Sequence, residues 1–132
     1  MQFPHLLQDL PPNDFIGKIH GGPYLWIAPK GHYEYCHVDA DDGYLCILNG
    51  QKRVRMFPAR SFAYMYPHAI GSLGRTVQSQ VNIEAPDLAM HPDFVHAEHW
   101  DVLLNSGIGI AHRRPLWCHS KLKSLSSDVS HL

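Results

Sequence analysis

The apolar residues of this chain occur in short runs, which glycine, proline and polar residues separate. This pattern predicts brief strands and two short helical turns. The strands are expected at residues 24–28, 32–37, 44–48, 51–57, 81–83 and 99–104, and the helical turns at 59–67 and 86–90. We see no repeat or linker, so we expect one domain over residues 1–132, with its core at about 20–120 and a tail at 121–132. Many short strands with little helix are typical of an all-β sandwich or barrel.

The dipeptide Asn49-Gly50 lies between two of these apolar runs and is a strong signal for a two-residue type I′ hairpin turn. In the resulting register, Ile47 lies opposite Lys52, which therefore belongs to the apolar face, while the flanking arginines point the other way. An ammonium group among apolar neighbours is costly unless an anion meets it. We therefore expect an anion beside Lys52, and that anion need not belong to the protein.

His37 and Asp39 lie two residues apart, just before this apolar region. In an extended segment both side chains leave the same face, with Cβ atoms about 6.5 Å apart, which suits two ligands of one metal ion. The chain contains three His-x-Asp pairs, so this spacing alone is weak evidence. The first pair is distinguished by the apolar strand that follows it and by Lys52. The structural alternative is a polar strand end followed by a turn-capping aspartate.

Length, charge and cysteine content narrow the class of protein. The formal net charge of −1 over 132 residues gives no chain-wide electrostatic signature for nucleic acid or membrane binding. We find no apolar run of membrane-spanning length and no signal-peptide pattern, and we expect neither. The three cysteines, at positions 36, 46 and 118, have no zinc-knuckle spacing. A reduced, cytoplasmic or nuclear environment is the expectation, and the oligomeric state stays open.

Several further motifs follow the His-x-Asp pair in a fixed order. They are Asn49-Gly-x-Lys52-Arg53-Val-x-Met-Phe57-Pro58, Tyr66-Pro67, Gln78-Ser-Gln80-Val81-Asn82, Pro86-Asp87-Leu88 and His91-Pro92-x-Phe94. Together they resemble the JmjC-type, cupin-like 2-oxoglutarate oxygenases over roughly residues 20–120. The resemblance is strongest to the factor-inhibiting-HIF asparaginyl hydroxylase and to small JmjC hydroxylases such as the tRNA wybutosine hydroxylase. It implies a double-stranded β-helix, or jelly-roll, that holds Fe(II) by two histidines and one carboxylate and binds 2-oxoglutarate.

The resemblance also implies roles for individual residues. His37 and Asp39 match the first two iron ligands of the family, and Lys52 matches the basic residue that pairs with the distal carboxylate of 2-oxoglutarate. Some relatives carry a threonine three residues before the first histidine, where it helps to hold 2-oxoglutarate. This chain has Glu34 at that position, and its negative charge is unfavourable for an anionic co-substrate.

The third iron ligand falls where the chain departs from the family pattern. Relatives have a Gly-Asp-x-Leu-x-Ile-Pro segment before it, whereas here the residues after Gly107 differ. Alignment on Trp117-x-His119 makes His119 the third ligand, which we expect because imidazole is the usual donor. Alignment without a gap from Gly107 places Cys118 there instead, and His112 is a third alternative.

The expected function follows from the resemblance. It implies an Fe(II)- and 2-oxoglutarate-dependent dioxygenase that hydroxylates a protein side chain, or an RNA base, and releases succinate and CO2. The near-neutral charge favours a protein substrate. The residues after 120 do not resemble the strands that close the sheet in relatives, so we expect an incomplete jelly-roll. The alternatives are a catalytically silent binding or regulatory module and a cupin that binds Zn²⁺.

Other candidate residues have simpler explanations. Arg53, Arg55 and Arg60 fit a solvated face better than an RNA-binding patch. Trp100 and Trp117 are expected in the core.

Overall fold

The computed structural model describes residues 25–39, 42–69, 76–112 and 117–124, with backbone alone at 112, 119, 122 and 124. Its strands form a five-stranded antiparallel sheet of order β4-β1-β7-β3-β5 and a two-stranded antiparallel sheet of β2 and β6. The bounds are β1 (Tyr33–Val38), β2 (Gly43–Cys46), β3 (Gln51–Phe57), β4 (Val77–Gln78), β5 (Trp100–Asn105), β6 (Gly109–His112) and β7 (Trp117–Ser124). Among the described residues, two 3-10 helices cover Ala59–Met65 and Pro92–His96. The predicted all-β fold is confirmed, since antiparallel sheets with few helical residues are consistent with a jelly-roll.

The predicted hairpin at Asn49-Gly50 is wrong. β2 pairs with β6, and β3 pairs with β5 and β7 rather than with β2. A type I′ turn needs positive φ at both central residues, but only Gly50 has it, with φ of 90°. The amide of Gly107 donates to the carbonyl of Ile47 at 2.8 Å, which extends the pairing toward β6. Pairing with a strand some sixty residues away therefore outweighs the local turn signal, and residues 47–50 connect the two sheets.

The alternation predicted for β3 is confirmed although the hairpin is not. Val54 and Met56 are buried on one face of β3 and form a cluster with Ile47 and Leu104. Lys52 lies on the same face by the two-residue period of a strand, and its side chain is only 15% exposed. Residues from the two-stranded sheet, including partly buried Leu45, pack against this cluster. The lysine thus belongs to the face that lies between the two sheets.

A second buried cluster lies at the end of the five-stranded sheet, where both 3-10 helices pack. Phe57 of β3 and its cross-strand partner Trp117 of β7 are both fully buried there. The cluster consists of Cys36, Phe57, Met65, Val81, Ile83, Ala97 and Trp117. The core position predicted for Trp117 is therefore confirmed. The one predicted for Trp100 is wrong, because that residue lies in β5 at the sheet edge and is 52% exposed.

Three other local predictions are wrong. Residues 25–28 are not a strand, and Trp26 is 75% exposed. Residues 81–83 and 86–90 form turns rather than a strand and a helix. The Asn82 side chain accepts hydrogen bonds from the amides of Glu84 and Ala85, at 3.1 and 3.3 Å, and Asp87 caps the following turn in the same way. Such side-chain bonds to the backbone compete with regular secondary structure.

Two features of the sheet position the candidate site. β1, which carries His37, pairs on one side with β4 and on the other with β7. β7 lies at the centre of the sheet, between β1 and β3, and ends at Ser124. Side chains of β1, β3 and β7 that share the inner face are therefore neighbours.

Within the described segments, no helix is both long enough and apolar enough to span a membrane.

Candidate metal and carboxylate site

A β-bulge in β1 brings Glu34 and His37 to the same face of the sheet. Glu34 pairs with Ser120 of β7 and His37 with Cys118, so three steps along β1 correspond to two along β7, and the register shifts between them. Residues three apart in a regular strand point to opposite faces, and one extra residue restores a common face. Cys36, inside the bulge, is buried in the other cluster. The bulge therefore turns Glu34 toward the inner face that holds Lys52.

The imidazole of His37 is held in an orientation that suits metal binding. Its Nδ1 lies 2.8 Å from the carbonyl oxygen of Tyr35. Because a carbonyl can only accept, Nδ1 carries the proton and the neutral ring keeps its lone pair on Nε2. That Nε2 lies 3.6 Å from Oδ2 of Asp39. The contact with Asp39 raises the pKa of His37 above its ordinary value, although burial acts in the opposite direction.

The spacing of these two atoms is close to that of two ligands of one metal ion. Two donors that each lie about 2.1 Å from a metal are separated by about 3.0 Å at a right angle and about 3.4 Å at a tetrahedral angle. The observed 3.6 Å between His37 Nε2 and Asp39 Oδ2 is slightly wider. A small side-chain movement is enough for both to bind one ion. Within the described part of the chain, no cluster of three or more His, Cys, Asp or Glu side chains suited to a metal is found.

Lys52 has a carboxylate beside it, and that carboxylate belongs to the protein. Its Nζ lies 3.7 Å from Oε2 of Glu34, and the two side chains are 15% and 28% exposed. The hydroxyl of Ser120 donates to the same oxygen at 3.0 Å. The lysine and the carboxylate are therefore an ion pair at a distance longer than a hydrogen bond. The anion predicted beside Lys52 is present in the form of Glu34.

The strand opposite His37 contributes a thiol. Cys118 pairs with His37 across β1 and β7 and is partly buried. The pKa of the Cys118 thiol is raised to about 11, chiefly by burial and then by the negative charge of Glu34, with a smaller increase from Asp39 and an opposing effect of Lys52. The thiol therefore lies within electrostatic range of the whole site. The charge of Lys52 is too weak an influence to make it a thiolate at neutral pH.

The predicted third ligand is not resolved by these contacts. The backbone of His119 pairs with Arg55 of β3, but its side chain lies outside the described residues. The side chain of His112 lies outside them as well. Position 119 thus pairs with a residue of the outer face of β3, whereas Cys118 pairs with His37. His119 stays a prediction, with Cys118, which the register favours, and His112 as its alternatives.

Two partners of the site were missed from the sequence. Ser120 belongs to no recognisable motif, and the sequence indicates Glu34 only as unfavourable for 2-oxoglutarate. Strand periodicity places Glu34 on the face opposite His37, so only the bulge reveals the contact with Lys52. A glutamate three residues before a candidate metal ligand indicates such a contact when the strand contains a bulge.

The outer face of β3 carries a separate charged network. Asp101 of β5 accepts from Arg53 at 2.6 Å and from two nitrogens of Arg55 at 3.0 and 3.2 Å, and Arg55 also donates to the carbonyl of Ile83. Burial alone raises the pKa of Asp101, but the hydrogen bonds from Arg55 and Arg53 outweigh it and lower the pKa to about 2. These two arginines are therefore committed to a structural network.

Comparison with known proteins identifies the family. A family model described as a cupin-like domain matches residues 1–107. The lysine-specific demethylase 8 of Danio rerio is 30% identical over 134 residues, covering 98% of this chain and 32% of that protein. The chain is a member of the cupin-like, JmjC-type family. This confirms the resemblance, and the family is one of Fe(II)- and 2-oxoglutarate-type oxygenases.

Further relatives of this JmjC-type chain include two human proteins. The HSPB1-associated protein 1 of Homo sapiens is 32% identical over 118 residues, which cover 85% of this chain and 24% of that protein. The tRNA wybutosine-synthesizing protein 5 of Homo sapiens is 31% identical over 120 residues, which cover 90% of this chain and 36% of that protein. The chain thus spans about a quarter to a third of the length of these curated relatives.

The JmjC-type family generally uses Fe(II) and 2-oxoglutarate, so the residues of the site can be compared with the requirements of both. A nitrogen and a carboxylate oxygen at near-ligand spacing suit a divalent iron. For the co-substrate, Lys52 supplies an inward positive charge, but Glu34 already lies beside it. His37 and Asp39 therefore fit the metal. At the position where Lys52 would bind the ligand carboxylate, Glu34 already lies beside the ammonium.

Proposed function

We propose that this chain carries an Fe(II)- and 2-oxoglutarate-dependent oxygenase site that hydroxylates a protein side chain and releases succinate and CO2. The observation that supports this most strongly is the pair formed by His37 and Asp39. The carbonyl of Tyr35 accepts the Nδ1 proton of His37, which leaves Nε2, 3.6 Å from Oδ2 of Asp39, as the ring nitrogen available to a metal. Metal-binding histidines are commonly held in this way by a hydrogen bond from the other ring nitrogen.

In this proposal each residue has a limited task. His37 and Asp39 bind the metal, His119 completes the set with Cys118 as its alternative, and Lys52 attracts the distal carboxylate of 2-oxoglutarate. The bound metal and 2-oxoglutarate supply the oxidising chemistry with O2. The buried apolar side chains that lie between the two sheets exclude water and strengthen the electrostatic attraction of Lys52.

A protein substrate is proposed in preference to RNA. One relative is named for an amino-acid residue, as a lysine-specific demethylase, and another is named for tRNA. The net charge of this chain is −1, and both Arg53 and Arg55 are bound to Asp101. Affinity for nucleic acid depends strongly on available positive charge, so these features favour a protein.

A catalytically silent jelly-roll that acts as a binding or regulatory module is the second candidate function. The contact between Glu34 and Lys52 favours it, because the carboxylate lies where the proposed co-substrate must bind. The two functions differ in whether metal and 2-oxoglutarate bind together at His37, Asp39 and Lys52.

An anaerobic titration of Fe(II) with saturating 2-oxoglutarate separates these functions. Chelation of iron by 2-oxoglutarate produces a visible charge-transfer band, and we expect this band in the wild-type protein. Asp39→Ala and Lys52→Ala should each abolish it. The matched control is Glu84→Gln, which removes the charge of a different glutamate, paired with Lys121 at 2.7 Å. A folded wild-type protein without the band, or a band that both alanine variants retain, contradicts the oxygenase function.

A further inference from the structure

We propose that Glu34 competes with a bound 2-oxo dicarboxylate for Lys52. This competition weakens the binding of the dicarboxylate, because the site disfavours a second carboxylate on the ligand. This proposal rests on the proposed function, since it concerns the co-substrate of the same site. It makes Glu34 a residue that determines specificity and gives it no part in the reaction itself.

The position of the Glu34 carboxylate is the first argument. The bulge in β1 turns Glu34 to the face that His37 shares, and its Oε2 lies 3.7 Å from Nζ of Lys52. The hydroxyl of Ser120 donates to the same oxygen at 3.0 Å. The Glu34 carboxylate therefore lies beside the ammonium and is hydrogen-bonded by Ser120, on the strand that also carries the candidate metal ligand.

Charge is the second argument. Lys52 is the cation that faces the Glu34 carboxylate, and its side chain is largely buried. A ligand carboxylate that approaches the same ammonium also approaches Glu34, and two like charges within about 5 Å repel appreciably in a partly buried site. A ligand with an uncharged end at this point avoids that repulsion. The competition therefore acts on the charge of the ligand rather than on its size.

The loose geometry of the pair is the third argument. The separation of 3.7 Å exceeds a hydrogen bond, whereas Lys121 contacts Glu84 at 2.7 Å. The hydrogen bond that fixes Glu34 is therefore that from Ser120. A carboxylate held in this way can be displaced by a ligand at high concentration. We accordingly expect weakened binding of 2-oxoglutarate rather than complete exclusion.

Two 2-oxo acids of equal chain length test the proposal. The protein is loaded with Mn(II), and 2-oxoglutarate and 2-oxovalerate are titrated separately by calorimetry. The second acid ends in a methyl group where the first has a carboxylate. Glu34→Gln keeps the size of the side chain and removes its charge. We expect it to bind 2-oxoglutarate about tenfold more tightly than wild type, with a change of less than about twofold for 2-oxovalerate.

Matched variants make the result specific. Glu84→Gln removes one negative charge from another lysine–glutamate pair and should leave both affinities unchanged. Glu34→Thr is a second variant for the case in which the glutamine protein folds poorly, and we expect the same selective gain. Adding Lys52→Ala to Glu34→Gln should remove that gain, because the gain requires the ammonium.

The possible results are distinguishable. A selective gain for 2-oxoglutarate in Glu34→Gln or Glu34→Thr supports the proposal. No gain in either variant overturns it, and so does an equal gain for both acids, since that indicates an effect of shape. The proposed function fails separately, when the wild-type protein with Fe(II) and saturating 2-oxoglutarate gives no charge-transfer band.

Discussion

Each face of β3 carries basic side chains beside a carboxylate. The groups on the outer face are directly hydrogen-bonded to each other, and those on the inner face are not. On the outer face, Asp101 receives three hydrogen bonds of 2.6–3.2 Å from Arg53 and Arg55. On the inner face, Lys52 and Glu34 face each other at 3.7 Å without a direct hydrogen bond. Bidentate arginine–carboxylate contacts are among the stronger and more specific polar contacts. The difference indicates that the outer network stabilises the sheet, while the inner pair retains capacity to bind a ligand.

The largest expected effect is the loss of the outer network. Asp101→Ala removes the carboxylate that Arg53 and Arg55 share and should lower the free energy of unfolding by about 2 kcal/mol, a value that allows for partial solvent screening. Glu34→Gln should cost less than about 1 kcal/mol, since Ser120 can still donate to the amide oxygen. Urea denaturation at pH 7 measures both. A larger cost for Glu34→Gln than for Asp101→Ala contradicts the comparison.

Double-mutant cycles sharpen the same contrast at the level of pairs. We expect a coupling free energy of about 1–1.5 kcal/mol between Arg55 and Asp101, whose contact is bidentate. Between Lys52 and Glu34 we expect about 0.5 kcal/mol, because their separation is longer. Each cycle requires the unfolding free energies of wild type, both single variants and the double variant. Equal coupling in the two pairs contradicts the distinction between a structural and a ligand-binding ion pair.

The pH dependence of stability isolates the outer carboxylate. The pKa of Asp101 is about 2 in the folded protein, below its ordinary value of 3.8. A depressed pKa adds stability above the unfolded value, and this stability is lost as the pH falls through the folded value. Asp101→Asn should therefore cost about 1 kcal/mol at pH 7 and almost nothing near pH 2. Urea denaturation at pH 7, 4 and 2 measures this, and an unchanged cost at pH 2 contradicts it.

The smallest expected effect is on the thiol of the inner face. The pKa of Cys118 is about 11, mainly because of burial and next because of the negative charge of Glu34. Glu34→Gln should therefore increase its rate of alkylation at pH 8 by about twofold, since the thiolate is the reactive form. Exposed Cys46 serves as the internal reference, read by mass spectrometry. A rate at Cys118 that stays equal to wild type shows that Glu34 does not act on this thiol.

Local patterns predicted individual strands better than the pairing between them. The two-residue period correctly placed Lys52 on the apolar face of β3 and the arginines on the other. The same period gave no sign of the bulge that brings Glu34 to Lys52, because a bulge depends on the partner strand. The turn signal at Asn49-Gly50 failed for a similar reason, since β2 finds its partner in distant β6. Family motifs, by contrast, identified the fold class and the candidate site together.

The assignment of His37 and Asp39 as metal ligands is tested most directly by calorimetric titration of the metal-free protein with Mn(II). We expect one ion per chain. His37→Ala and Asp39→Ala should each weaken binding at least about tenfold, and Glu84→Gln should bind as wild type does. Circular dichroism confirms that each variant is folded. A folded wild-type protein that binds no ion, or equal affinity in both alanine variants and wild type, contradicts the assignment.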